Sequence, residues 1–180
     1  MKRSFITTVV IIIALAIFFI ARNQFSDLYG SRNGQIFSEE KNSAFVIDGD
    51  EVNLIDGKAV IPAAPQSASQ NTFKYFGNGA SGDLDGDRIP EIAFLITKET
   101  GGSGLFYYVV VATRNKDGYQ SLNTIFIGDR IAPQSTQIQS GVLTINYAER
   151  KDGEPFTTSP SQGKSLKLTI SKGNLVEVSN

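Results

Sequence analysis

The chain has 180 residues, of which 17 are basic and 18 acidic, so its formal net charge is -1. That balance argues against a nucleic-acid partner, which usually requires a basic face. The chain contains neither cysteine nor histidine, which excludes disulfides, histidine-dependent catalytic triads and histidine-ligated zinc or iron sites. Any bound metal must therefore be held by oxygen atoms, as calcium and magnesium are.

The N-terminal segment is strongly apolar. The run Phe5–Ala21 carries no charged residue, and as a helix it spans about 26 Å, close to the thickness of the hydrocarbon core of a bilayer. Lys2 and Arg3 precede the run, which under the positive-inside rule favours an N-terminus in the cytoplasm, and Arg22 after the run weakens this bias. We predict a signal anchor over residues 1–22 that crosses the lipid bilayer with residues 5–21.

Cleavage of this segment is the alternative. Ala14–Ala16 has the small-x-small spacing of a signal-peptidase site. A cut there leaves the bulky apolar residues 17–20 at the new N-terminus, which favours the uncleaved anchor. The uncleaved chain is a single-pass membrane protein with its C-terminal domain outside the cytoplasm, whereas the cleaved chain is secreted.

A change of composition follows the anchor. Residues 23–43 are polar and show no sustained hydrophobic period, which predicts a juxtamembrane linker. Residues 44–180 contain many short runs of β-forming residues separated by Asp-Gly, Ser-Gly and Lys-Gly turns. No segment after residue 43 has a helical period, so we predict an all-β extracytoplasmic domain, an antiparallel sandwich or a curled sheet.

Eleven strands are predicted in this domain. In chain order they are Ala44–Ile47, Glu51–Ile55, Lys58–Ile61, Thr72–Phe76, Glu91–Thr97, Leu105–Thr113, Tyr119–Ile127, Thr136–Gln139, Leu143–Tyr147, Lys164–Ser171 and Leu175–Val178. The fifth and sixth runs are almost continuously apolar, which is typical of strands covered on both faces. They should lie at the centre of the sheet.

An acidic stretch precedes the fifth strand. Asp83, Asp85 and Asp87 alternate along the chain, and Glu91 follows four residues later. Carboxylates at this spacing repel one another unless a cation lies between them. Calcium accepts six to eight oxygen ligands in a tolerant geometry, and the carbonyl of Ile89 adds a further candidate ligand. We predict a calcium-binding loop formed by these five residues.

The spacing differs from that of an EF-hand. If Asp83 is position 1, position 12 is Phe94 instead of a glutamate, and position 6 is Arg88 instead of a glycine. A positive φ at Arg88 costs about 1 kcal/mol relative to glycine, so whether this arginine abolishes binding stays open. The alternatives to calcium are a solvated acidic turn without an ion and a magnesium or catalytic metal site.

With Glu91 at position 9 and an apolar strand directly after it, the loop resembles the calcium loops of FG-GAP-type repeats. Those repeats occur in integrin-like β-propellers and in many bacterial surface proteins. The resemblance covers about a dozen residues, and a propeller needs several copies where this chain has one. It therefore implies a calcium loop, not a propeller.

A wider resemblance involves several blocks of the domain. They include Tyr75–Asn78, Gly82–Asp87, Gly102–Tyr108, Gly128–Gln134 and Val142–Arg150. These blocks resemble an uncharacterised family of exported bacterial proteins, over most of residues 45–170. The resemblance implies a bacterial source and export across the cytoplasmic membrane, and it implies no activity.

Three functional hypotheses follow, and the third is a subunit of a larger assembly in which the anchor and linker only set its position. The first is a non-enzymatic module of the bacterial envelope, stabilised by calcium, that binds an envelope protein or glycan. The second is a hydrolase of cell-wall glycan, or a hydrolase inhibitor, for which Asp129 and Glu149 are the carboxylates outside the acidic loop. A cleft that holds both carboxylates favours the second hypothesis, whereas a flat or edge-strand surface favours the first.

Overall fold

The computed structural model describes residues 40–115 and 118–178. These residues form a short 3-10 helix, Glu40–Asn42, and twelve strands. The strands are β1 Ala44–Ile47, β2 Asp50–Asn53, β3 Lys58–Pro62, β4 Gln70–Gly82, β5 Glu91–Glu99, β6 Phe106–Asn115, β7 Gly118–Ser121, β8 Ile125–Asp129, β9 Ala132–Gln139, β10 Val142–Glu149, β11 Gln162–Ser171 and β12 Asn174–Glu177. The prediction of an all-β domain is confirmed.

The strands form three antiparallel sheets. The largest has the order β3-β4-β5-β6-β7, and β8 pairs with the first half of β6 beside β7. The second sheet has the order β12-β11-β10-β9, and the third is the β1-β2 hairpin. Every pairing is antiparallel, and all but the pairing of β6 with β8 join strands that are consecutive in the chain.

Three of the hairpins close through two-residue turns at the predicted positions. Both central residues have positive φ in each turn: 56° and 82° at Asp48–Gly49, 52° and 74° at Ser140–Gly141, and 52° and 76° at Lys172–Gly173. Two consecutive residues with positive φ are the signature of a type I′ turn, whose twist matches that of the strands it joins. The glycine at the second position makes this conformation accessible.

The core lies on both faces of β5 and β6, as their apolar runs predict. On one face, Leu95, Val109 and Val111 pack against the second sheet, where Leu143 and Ile145 are fully buried. On the other face, Phe94 contacts the ring of Phe45 from the β1-β2 hairpin at a centroid distance of 5.3 Å. The central sheet is therefore covered by the four-stranded sheet on one side and by the hairpin on the other.

A buried lysine ties the hairpin to the central sheet. Lys98 on β5 is 8% exposed, and its Nζ donates to Asp48 Oδ2 at 2.9 Å and to Asp50 Oδ2 at 3.2 Å. The hydroxyl of Tyr108 on β6 also donates to Asp48 Oδ2, at 3.1 Å. The Lys98 hydrogen bond holds the pKa of Asp48 below its ordinary value, as expected of a carboxylate paired with a cation.

Several predicted strands have different limits in the structure; the predicted strand Thr136–Gln139, for example, begins at Ala132 as β9. The predicted strand Tyr119–Ile127 is divided into β7 and β8, because Asn123 between them bonds through its side chain to the backbone N–H and C=O of Leu175. The predicted strand Thr72–Phe76 extends to Gly82 through two bulges, where Gly77 and Asn78 have positive φ. The extension carries β4 directly to the acidic loop.

The whole predicted anchor and residues 23–39 of the predicted linker lie outside the described residues. Residues 40–42 of the predicted linker form the 3-10 helix, and Glu40 is fully buried. Across the part of the chain that is described, no helix is long and apolar enough to cross a membrane. Residues 40–180 form one compact unit.

Candidate metal centre

The acidic loop connects β4 and β5, which form one hairpin of the central sheet. Gly82 ends β4 and pairs with Glu91, which begins β5. A side chain at Gly82 would have its Cβ 2.8 Å from Ile138 Cγ2 on β9, so glycine lets the loop start close to the second sheet. The loop is therefore fixed at both ends by strands of the core.

Aspartate side chains shape the loop by accepting hydrogen bonds from its backbone. Asp83 accepts from the N–H of Gly86 at 2.7 Å and from that of Arg88 at 3.1 Å. Asp85 accepts from the N–H of Asp87 at 3.0 Å. These bonds satisfy N–H groups that no strand pairs, and they hold the carboxylates on the inner side of the turn.

Arg88 has the positive φ whose cost relative to glycine is given above. Its φ is 72°, in the left-handed region that favours glycine, and Gly86 has a φ of 90°. The cost of Arg88 relative to glycine is about 1 kcal/mol. The loop nevertheless curls, because Asp83 accepts the Arg88 N–H and Gly86 takes the other left-handed position.

Glu91 is the buried carboxylate of the loop. Its side chain is 1% exposed, and its Oε2 accepts a hydrogen bond from the N–H of Leu84 at 2.8 Å. Burial raises the pKa of the Glu91 carboxyl, the Leu84 hydrogen bond opposes this shift, and the neighbouring aspartates add to it. Among the described residues, no lysine or arginine forms an ion pair with Glu91.

The structure brings three of the predicted ligands together. Asp83, Asp85 and Glu91 each offer a carboxylate oxygen, and these oxygens lie within 4.8 Å of one another. Asp87 is not part of this group; its Oδ1 accepts the N–H of Ile89 at 2.6 Å instead. The side chain of Ile89 is 49% exposed. The three carboxylates can provide part of an oxygen coordination shell for a divalent cation.

A second cluster contains the two other candidate carboxylates. Asp129 and Glu149 line one cavity of about 470 Å³ at the loop after β10. Arg130 Nη2 pairs with Asp129 Oδ2 at 2.7 Å, and this contact holds the pKa of Asp129 below its ordinary value. Lys164 Nζ pairs with Glu149 Oε1 at 3.1 Å. Both carboxylates are thus engaged with cations.

Sequence reasoning missed two features. Phe156 lines the same cavity and is 65% exposed, and the Arg130 guanidinium lies 3.9 Å above its ring; its position as the one aromatic residue in the polar stretch 148–162 was an available signal. The other feature is Glu40, which accepts a hydrogen bond from the hydroxyl of Tyr75. No local pattern pairs residues 35 positions apart.

Comparison with known proteins found no similar protein. No family model, no curated protein and no solved structure matches the chain.

Proposed function

We propose that the acidic loop binds calcium and that the domain is a non-enzymatic binding module of the bacterial envelope. Glu91 carries this proposal: it is a carboxylate 1% exposed, beside two further carboxylates, with no cationic side chain paired to it among the described residues. Burial of an unpaired charge is strongly unfavourable. A divalent cation between the three carboxylates removes that cost.

Calcium suits the loop better than magnesium does. Three carboxylates held by a curled backbone leave several coordination positions for carbonyl or water oxygens, and calcium tolerates such irregular shells. Magnesium requires nearly ideal octahedral geometry and retains most of its water. Extracellular calcium modules bind with a Kd of about 10⁻⁴ to 10⁻³ M, so the ion in this loop would serve stability and not signalling.

The proposed location follows from the N-terminal sequence. Residues 5–21 have the length and apolarity of a membrane anchor, and Lys2 and Arg3 orient it with the domain outside the cytoplasm. The resemblance to exported bacterial proteins supports the same location. We propose a single-pass protein of the bacterial cytoplasmic membrane whose domain binds an envelope protein or glycan.

Calcium at 10 mM should stabilise the domain by about 1.4–2.7 kcal/mol for the Kd range above, which raises the melting temperature by about 3–10 °C. The measurement is thermal unfolding of residues 40–180 with calcium, with magnesium and with a chelator. Asp85→Ala and Glu91→Gln should abolish the rise, because each removes a charged ligand.

The matched control for these variants is Asp152→Ala, because Asp152 is an exposed acidic residue outside the loop. It should keep the full calcium response. An unchanged melting temperature of the wild-type protein at every calcium concentration would overturn the metal site and leave an ordinary acidic turn.

Hydrolysis of cell-wall glycan is the second candidate function, and the cavity that holds both Asp129 and Glu149 favours it. Against it, a general acid needs a raised pKa, whereas Arg130 lowers that of Asp129. We expect the purified protein to release no soluble sugar from peptidoglycan. Release that is lost in both Asp129→Asn and Glu149→Gln, but kept in Asp56→Asn, would establish the hydrolase instead, because Asp56 is exposed and does not line this cavity.

A further inference from the structure

The short 3-10 helix Glu40–Asn42 is held on the turn that precedes β3. The N–H of Gly57 in this turn donates to the Lys41 carbonyl at 2.8 Å, and the N–H of Asp56 donates to Asn42 Oδ1 at 2.9 Å. Both donors belong to the turn and both acceptors belong to the helix. The two N–H groups therefore report directly on whether the helix is in place.

The turn that receives the helix is closed without it. Ile55 and Lys58 exchange two backbone hydrogen bonds across the turn, at 2.9 and 3.1 Å. After the helix, the carbonyl of Ser43 accepts the N–H of Leu54 at 3.0 Å, and β1 begins at the next residue. The helix can therefore leave the turn while the strands around it stay paired.

The side chain of Glu40 fixes the helix to the domain and is fully buried. Its Oε1 accepts a hydrogen bond from the Tyr75 hydroxyl on β4, and its Oε2 is buried without a hydrogen-bond partner among the described residues. A protonated Glu40 is neutral in this site. An ionised Glu40 is a buried charge with one hydrogen bond, which is strongly unfavourable.

Two titratable groups act on this carboxyl, Tyr75 from β4 and Lys41 from the helix itself. Within the described part of the chain, β3 and β5 place no charged group against it. The Lys41 ammonium lies 5.2 Å from the centre of the Tyr75 ring, and it forms no ion pair with Glu40 across the described residues. The buried carboxylate thus has no cation to neutralise it directly.

We propose that residues 40–42 form a latch, which closes on the turn when Glu40 is protonated and opens when Glu40 is ionised. Opening returns the carboxylate to water at the cost of the contacts of three residues. Burial raises the pKa of Glu40 to about 7, against the effects of Tyr75 and Lys41, whereas a released Glu40 has its ordinary pKa of 4.5. The closed latch is therefore most stable below pH 4.5, and this stabilisation is lost as pH rises through 7.

The latch lies where the chain enters the domain. Its opening frees three residues, which reach about 10 Å when extended, at the end of the linker that follows the proposed membrane anchor. The reach of that linker is then greater at neutral pH than in acid. This consequence rests on the proposed location, whereas the latch itself rests on the contacts of residues 40–42 and does not involve the calcium site.

The test is amide hydrogen exchange of the full chain in detergent micelles between pH 5 and pH 8, with protection factors corrected for the intrinsic pH dependence of exchange. The N–H groups of Asp56 and Gly57 should lose protection at least tenfold over this range, because each pH unit between the two pKa values changes latch closure by up to tenfold. The N–H of Tyr75 donates to the Gly57 carbonyl at 2.7 Å and should keep its protection.

Two variants complete the test. Glu40→Gln removes the titration and should keep both N–H groups protected at pH 8. Glu51→Gln is the matched control, because Glu51 is an exposed glutamate on β2, and it should keep the pH response of the wild type. Constant protection of Asp56 and Gly57 in the wild type overturns the latch. A loss of protection that Tyr75 shares, or one that persists in Glu40→Gln, overturns it as well.

Discussion

Truncation of Phe94 to alanine should lower the free energy of unfolding by about 3–5 kcal/mol, the range measured for large aromatic residues in well-packed cores. Phe94 is fully buried at the middle of β5, and its ring lies 5.3 Å from those of both Phe45 and Tyr75. Its removal leaves a cavity between the central sheet and the β1-β2 hairpin. The strands on either side prevent this cavity from collapsing.

Urea unfolding of the variant, compared with the wild type, measures this loss. Phe156→Ala is the matched control, because this phenylalanine is 65% exposed and should cost about 1 kcal/mol or less. A loss below 1 kcal/mol for Phe94→Ala would show that the hairpin does not pack on the central sheet as described.

Ionisation of Glu40 should make the stability of the protein decrease as pH rises from 5 to 8. Burial raises the pKa of this carboxyl to about 7, against the opposing effects of the Tyr75 hydrogen bond and of Lys41. Its Oε2 is buried and has no hydrogen-bond partner among the described residues. The folded state therefore binds the proton more tightly than the unfolded state, and this stabilisation disappears as pH rises through 7.

The difference in unfolding free energy between the wild type and Glu40→Gln isolates this group, because all other titrating groups are shared. Between pH 5 and pH 8, we expect the unfolding free energy of the wild type to fall by about 2–3 kcal/mol relative to that of Glu40→Gln. Tyr75→Phe removes the hydroxyl that lowers the pKa of Glu40, so the transition should move to higher pH. A difference that does not depend on pH would contradict the burial of the carboxyl.

Features set by local chemistry were predicted well from the sequence. Asp48–Gly49, Ser140–Gly141 and Lys172–Gly173 each combine a residue that tolerates positive φ with a glycine, which determines the turn irrespective of the rest of the fold. The continuous apolar runs of β5 and β6 likewise indicated burial on both faces. In each case the deciding information lies within a few residues.

Features set by distant partners were not predicted. The break at Asn123 depends on Leu175, 52 residues away, and the burial of Glu40 depends on Tyr75. The cavity that joins Asp129 to Glu149 forms only when separate loops meet. A single sequence contains no signal for any of these pairings.

The candidate site falls between these two cases. Alternating aspartates ahead of an apolar strand were enough to predict the cluster of Asp83, Asp85 and Glu91. The separation of Asp87 from this group was not predictable, since the position of each carboxylate depends on the backbone path of the folded turn. A groove beside the loop is lined by Asp83 and Asp85 together with residues of β9 to β11. It was not predictable, because the acidic pattern contains no information about those strands.

The location of the acidic loop also bears on the order of folding. The loop closes the hairpin of β4 and β5, so full pairing of these strands brings Asp83, Asp85 and Glu91 close together. Hairpins between neighbouring segments form early, because their closure entropy is small. Without a cation, like charges oppose this early step at its starting point. A calcium ion bound in this loop would therefore favour formation of the β4-β5 hairpin and speed folding where calcium is abundant.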